Sequence, residues 1–220
     1  MSEEAVAVDI EGESAAEPVD GFTDEERARR EAALAEVRTF GDPVLRSRAS
    51  EVGEFDAELR RAAERMIGLM HDAMGVGLAA TQLGALRRLL VFQAGPDASP
   101  TALANPVIEW SSGELVTATE GCLSLPRVVM DVERPLHVRV SGRDVEGEPL
   151  LIEASGLEAR VLQHEIDHLD GILILDRTNL EHRKGAMRAL REGTAFAPPE
   201  PEPEPESELA GDGDADRDAE

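Results

Sequence analysis

The sequence predicts an α+β fold, and three observations carry the prediction. A strongly amphipathic helix precedes a block of short β-rich runs, and two further helices follow it. The strands are grouped between helices rather than alternating with them, which argues against a parallel α/β sheet. The chain has 220 residues, enough for one domain with a sizeable core.

Taken in order, each segment has its own signal. Residues 1–21 are acidic and poor in large apolar side chains, so disorder is expected. FTDEERARREAALAEVR (22–38) reads as a helix, with Thr23 as N-cap and Glu26 completing a capping box. Its apolar stripe is thin, so a surface helix is expected. Residues 1–36 thus form an acidic extension with a helix at 22–36, ahead of a catalytic domain at 37–196. FGDPVLRSRAS carries a turn signal at Gly41-Asp42-Pro43. From Asp56 to Met74, Leu59, Ala63, Met66, Ile67, Met70 and Met74 recur at three- and four-residue steps. Gly75 and Gly77 stop that helix. RRLLVFQA (87–94), LANPVIEW (103–110), ELVTATEGC (114–122) and LHVRVSGRDVEGEPLLIEA (136–154) are β-rich. The last reads as a hairpin turning near Glu146-Gly147. A helix over about Gly156–Leu169 follows, with Ser155 and Glu158 as a capping box and Gly171 just past its end. A final helix spans roughly 179–192. From Ala197, Pro alternates with Glu, so 197–220 is expected to be an extended, solvated tail.

Charge is concentrated at the ends. The net charge is −24, but residues 1–26 hold ten acids without a Lys or Arg, and 197–220 hold ten acids against Arg217. The body is an ordinary globular composition with no basic patch for DNA. No run of 18 apolar residues suggests a membrane span, and the N-terminus lacks the features of a signal peptide. The expected location is cytoplasmic, and the single cysteine, Cys122, agrees.

QHEIDHLDG (163–171) places His164 and His168 four residues apart, on one helical face. Together they can grip one ion, and imidazole suits Zn²⁺ and Fe²⁺. Glu165 lies at the rim of that face, within reach of a water at the ion as a general base. Leu157 and Val161 extend the histidine face, while Leu162, Ile166 and Leu169 line another, so the helix is expected to be buried. Two His and two acids in a buried helix cost several kcal/mol unless compensated, and a metal compensates. The alternative is a pair of hydrogen-bonded structural histidines. His71, His137 and His182 have no partner at ligand spacing and are expected to be structural or surface residues.

The third ligand is not fixed by the HExxH itself. Ile174 occupies the position where HExxHxxGxxH peptidases carry a third His. Glu181 or Glu192 would serve in a thermolysin-like arrangement, but neither lies in a matching motif. Cys122, in EGCLSLP, is the better candidate; Cys plus two His leaves one open position, as in catalytic rather than structural sites. MGVGLAATQLG (74–84) loosely matches a dinucleotide fingerprint, but it follows a helix rather than a strand. Its other reading is a tight glycine loop that approaches a ligand, with the Gln82 amide as a donor to a developing oxyanion.

GVGLAATQLG, EGCLS and QHEIDHLDG, in this order, resemble the three motifs of the peptide deformylases. The resemblance runs from about Val37 to Arg191 and includes FGDPVLR, ERPLHVRV and LDRTNLEHRKGAMRALRE. It implies a peptide-deformylase-like α+β fold, with mixed or antiparallel sheets around a central helix that carries HExxH. It implies that Cys122, His164 and His168 bind one Fe²⁺ per chain, with Zn²⁺, Ni²⁺ or Co²⁺ able to substitute. Glu165 would then be the base, and Gln82 with the Leu123 backbone N–H would hold the oxyanion. Val76, Gly77, Glu120 and Leu123 would line the groove for an N-formylmethionyl nascent peptide, bound like an added strand. Some members bind the ribosome through a basic C-terminal helix; here Arg183, Lys184, Arg188 and Arg191 are followed by an acidic tail. Two departures stand out. Thr81 replaces a common Pro, and Arg160 lies one turn before His164, where an apolar residue often lines the methionine pocket. Two other functions compete: a different HExxH peptidase, and an idle homologue that only binds peptide ends or the ribosome.

Overall fold

The computed structural model describes residues 22–199. Expectations for residues 1–21 and 200–220 lie outside the described residues. Helix α1 (Asp24–Glu36) opens the chain and is capped as expected: the Thr23 hydroxyl accepts from the Glu26 N–H, and the Glu26 carboxylate accepts from the Thr23 N–H. It buries only Ala33 along its length and packs against α2 (Ala57–Asp72). Asp56 caps α2 by accepting from Glu58 and Leu59 N–H at 2.9 and 3.0 Å. The predicted stripe is partly right. Leu59, Ala63, Met66 and Met70 are buried, but the helix ends at Asp72. Met74 lies beyond it with φ +60 and is half exposed.

Seven strands follow: β1 (Gly77–Ala79), β2 (Leu89–Phe92), β3 (Thr101–Ser111), β4 (Leu115–Gly121), β5 (Val129–Pro135), β6 (His137–Arg143) and β7 (Pro149–Ser155). They form a five-stranded sheet in the order β1-β2-β3-β6-β7 and a separate β4-β5 ribbon. Every pair within these sheets is antiparallel. The β6–β7 hairpin turns at the predicted place, with Gly147 at φ +89. Two strands lie outside the predicted set. β1 is three residues long, too short for a periodic signal. β5 alternates its burial, but Arg134 occupies a core-facing position and breaks the apolar period.

Helix α3 (Gly156–Leu169) packs across the large sheet. Leu162, Ile166 and Leu169 join Leu90, Leu103, Val138 and Val140 in one apolar cluster. The expected capping box does not form: Ser155 makes no side-chain cap bond. Gly156 takes φ +58, so the chain turns sharply out of β7 and the hydroxyl is not brought over the first helical N–H groups. Past α3, Gly171 has φ +75, and a Cβ there would lie 2.7 Å from the Arg46 carbonyl oxygen. Only glycine fits that approach. The chain ends in a short helix, α4 (Ile174–Arg177), and α5 (Leu180–Glu192), capped by Asn179. Phe196 then bridges to Val128 beside β5.

Asp176 ties α4 to the segment after α1 by pairing with Arg46, and it also accepts from the Leu173 N–H at 2.9 Å. Burial alone would raise its carboxyl, but the Arg46 hydrogen bond and the Leu173 N–H outweigh burial and hold it below the usual aspartate value. A depressed folded-state pKa adds stability that is fully present above the unfolded value of about 3.8 and is lost as pH falls below it through the folded-state pKa. Asp176→Asn is therefore expected to lower Tm at pH 7. The difference from the parent should shrink as thermal melts are repeated down to about pH 3. A difference that stays constant over that range would assign the effect to packing instead.

Candidate metal centre and active site

The three predicted ligands converge. Cys122, just past β4, and His164 and His168 on α3 bring donor atoms within 4.8 Å of one another. The Cys122 Sγ lies 3.2 Å from His168 Nε2. The two imidazoles stand edge to face, with centroids 4.9 Å apart, as one helical turn dictates. On the other side, His164 Nδ1 is 3.0 Å from Glu120 Oε2. A carboxylate on one ring nitrogen fixes the tautomer and turns the other nitrogen toward the site, as in known metal centres.

Electrostatics differ between the two rings. For His164, burial would lower the pKa, but hydrogen bonding to Cys122 and Glu120 prevails and raises it well above the usual value. For His168, burial and the neighbouring His164 both lower it. Burial also pushes the Glu165 carboxyl up, to about 7. Glu165 Oε2 and His168 Nδ1 are buried without a hydrogen-bond partner among the described residues. A thiol, two imidazoles and orphaned buried polar atoms are a donor set that a borderline divalent cation fits.

Gln82 is held for one orientation. Its Oε1 accepts from the Ala79 N–H at 2.9 Å, and its Nε2 faces Ser124 Oγ at 3.2 Å and Cys122 Sγ at 3.8 Å. The Leu123 backbone N–H donates to no acceptor among the described residues. Gly77 lies against Glu165: a Cβ there would come within 2.8 Å of the Glu165 Cγ and Cδ. The glycine loop is therefore a close approach of backbone to the motif helix. Thr81 is fully buried and donates its hydroxyl to the His168 carbonyl at 3.2 Å, joining the same two elements.

The groups open into a cleft of about 660 Å³. Val76 and Gly77 border it on one side, and Thr119, Glu120 and Gly121 on the other. The former belong to an edge strand of the large sheet and its approach, and the latter to β4, which among the described residues pairs only with β5. Two unpaired strand edges thus flank the groove. Leu157, Val161, Leu125 and Val129 supply apolar wall. A second cleft, around Arg48, Arg88 and Asp170, shares no residue with this one.

Arg160 does not fill the cleft freely. Its guanidinium donates to Glu120 Oε1 at 2.7 Å and to the carbonyls of Val132 and Val116 at 2.9 and 2.7 Å. It clips α3 to the β4–β5 ribbon. Sequence reasoning missed the deeper layer. Arg134, 4% exposed, donates to both Glu120 oxygens at 2.6 and 3.0 Å and to Asp167 Oδ2 at 2.8 Å. Arg177 completes the set on Asp167 at 2.5 and 3.0 Å. Burial would raise the Glu120 carboxyl, but hydrogen bonds from His164 and Arg134 outweigh burial and hold it down to about 2. Of the two acids between the paired histidines, Asp167 is therefore compensated by arginines rather than by an ion. His71 pairs with Gln93 on the surface, and His182 packs near Phe196, both away from the site.

Residues 34–184 match the sequence model of the polypeptide deformylase family. The chain is 45% identical over 159 residues to a peptide deformylase of Parafrankia sp., covering 72% of this chain and 86% of that one. It is 46% identical over 166 residues to peptide deformylase 1 of Corynebacterium glutamicum, covering 74% and 98%. Among solved structures, the Synechococcus elongatus peptide deformylase in complex with actinonin superposes with a TM-score of 0.67 at 42% identity, covering 72% and 88%. The Thermus thermophilus enzyme gives 0.67 at 44% identity, covering 71% and 93%. With its Cys/His/His cluster in a cleft between two strand edges, the chain belongs to the peptide deformylases, metal-dependent hydrolases that remove the formyl group from nascent peptides.

Proposed function

We propose that residues 37–196 form the catalytic unit and that Cys122, His164 and His168 hold one Fe²⁺ in the cytoplasm, a place Zn²⁺, Ni²⁺ or Co²⁺ can take. The observation that carries this reading is the convergence of those three donors beside Glu165 and Gln82 in one cleft. A divalent ion bound there supplies Lewis acidity and makes water acidic enough to lose a proton near neutral pH. Glu165 takes that proton. Its raised pKa, near 7, suits a group that must both accept and return it. As the water oxygen bonds to the formyl carbon, the carbonyl oxygen gains charge. Gln82 Nε2–H and the Leu123 N–H donate to it. Glu165 then passes the proton to the amine nitrogen, the C–N bond breaks, and formate and a free N-terminus leave. The peptide lies between the two strand edges, against Val76, Gly77, Glu120 and Leu123, with the methionine side chain on the Leu157–Val161 wall.

The test is formate release from a short formyl-methionyl peptide by protein purified without oxygen and assayed for metal. The reading requires turnover that falls on exposure to air. No formate from protein carrying one Fe²⁺ per chain would favour the idle homologue. Glu165→Ala is expected to keep its metal and to lose about 10²- to 10⁴-fold in kcat. Gly77→Ala is expected to lower kcat without metal loss, because the Cβ displaces the Glu165 carboxylate. Normal turnover in Glu165→Ala would remove Glu165 from the role of base, and normal turnover in Gly77→Ala would show that the carboxylate accommodates the added Cβ.

Association with the ribosome is a further part of this reading. It is supported by Arg183, Lys184, Arg188 and Arg191 on α5. The acidic residues after Ala197 oppose it electrostatically. Co-sedimentation with ribosomes, by the full chain and by a chain cut after Phe196, decides it; binding by neither would refute it.

A further inference from the structure

Helix α1 lies almost wholly outside the residues that match the family, which begin at Leu34. Two of its side chains nevertheless line the substrate cleft: Arg30 and Leu34, one turn apart on one face. The helix is firmly placed. Ala33 and Val37 are buried, and Glu36 pairs with Arg65 of α2. Just past its end, the Arg38 N–H donates to the Gln82 carbonyl at 2.7 Å, and the Phe40 N–H donates to the Ser124 carbonyl at 2.9 Å. The segment leaving α1 is thus bonded to both loops that carry the active-site residues.

The charges around the cleft divide into two groups. Glu120 and Arg160 are committed to partners at the floor, with Arg134 and His164. Arg30 on α1 and Arg127 on the β4–β5 loop border the same cleft and are exposed. Neither has a carboxylate at ion-pair distance among the described residues. This occurs in a chain with 46 acids against 22 basic residues, in which several other arginines, Arg46 and Arg87 among them, pair with carboxylates. The cleft therefore offers a peptide an apolar wall for the methionine and, near its mouth, two cations without a carboxylate partner among the described residues, Arg127 donating only to the Gly193 carbonyl at 3.4 Å.

We propose that α1 is an outer wall of the peptide groove and that Arg30, assisted by Arg127, favours formylated peptides with an acidic side chain within the first few residues after the methionine. This inference rests on the deformylase reading. The contacts are solvent-exposed, so the expected preference is modest, about two- to fivefold in kcat/KM. It should lie mainly in KM and fade at about 0.5 M salt.

The experiment uses full-length, metal-loaded protein and C-terminally amidated formyl-Met tetrapeptides. Asp, Ser or Lys is placed in turn at each position after the methionine. The parent chain is expected to prefer Asp over Lys at one or more positions. Arg30→Glu should invert that ratio, and Arg30→Lys should retain it. A ratio equal in the parent and in Arg30→Glu would overturn the proposal. A ratio near one that rises only when residues 200–220 are removed would give the cations to the chain's own acidic tail, and would also overturn it. Turnover of the Ser peptides by the parent reports on deformylation alone, so failure of that reading is distinguishable from failure of this one.

Discussion

The buried guanidinium of Arg134 is the point on which the site depends. It reaches Glu120 from β4 with two donors and Asp167 from α3 with a third. Glu120 in turn orients His164, and Asp167 lies one residue before His168. One cation thus couples the strand leading to Cys122 with the helix that carries both histidines. A buried pair of this kind is weak evidence for stability in itself, because desolvation offsets its attraction. Its effect here is geometric. With every acceptor satisfied, the network allows few alternative arrangements of the donors.

The remaining geometry follows from close approach. Gly77 lets the edge of the large sheet touch the Glu165 side chain, and Thr81 bonds the same loop to the His168 carbonyl. Gln82 is fixed at its oxygen, which leaves its nitrogen facing the cysteine. Between that edge and β4 the groove has unpaired backbone on both sides. A peptide can bind there through main-chain bonds, largely whatever its sequence, as an enzyme acting on many nascent chains requires. The proposed preference among those chains draws on Arg30 of α1, which precedes the residues that match the family, together with Arg127 within them.

The sequence made some of this legible and hid the rest for definite reasons. His164 and His168 were readable because helical spacing alone places them together. The long helix α2 and the β6–β7 hairpin were readable from apolar periodicity and a glycine turn. β1 has only three residues, and β5 carries Arg134 in its core-facing row, so neither presents a clean period. Ser155 resembles an N-cap in sequence, but the left-handed Gly156 leaves its hydroxyl unused. The Arg134–Glu120–Asp167 contacts join positions 14 and 33 residues apart, which no local pattern announces. The strongest hint was an energetic one: Asp167 on a buried helix had to be neutralised by something. The place of Arg160, whose guanidinium caps two strand carbonyls, was equally a matter of long-range contact.

The claim at the centre of this account is that one thiolate and two imidazoles hold a single ion. X-ray absorption at the metal edge of the zinc-loaded protein measures that directly. The account predicts one sulfur at about 2.3 Å with nitrogen and oxygen neighbours at about 2.0–2.1 Å. A shell of nitrogen and oxygen alone, in protein carrying one ion per chain, would contradict it.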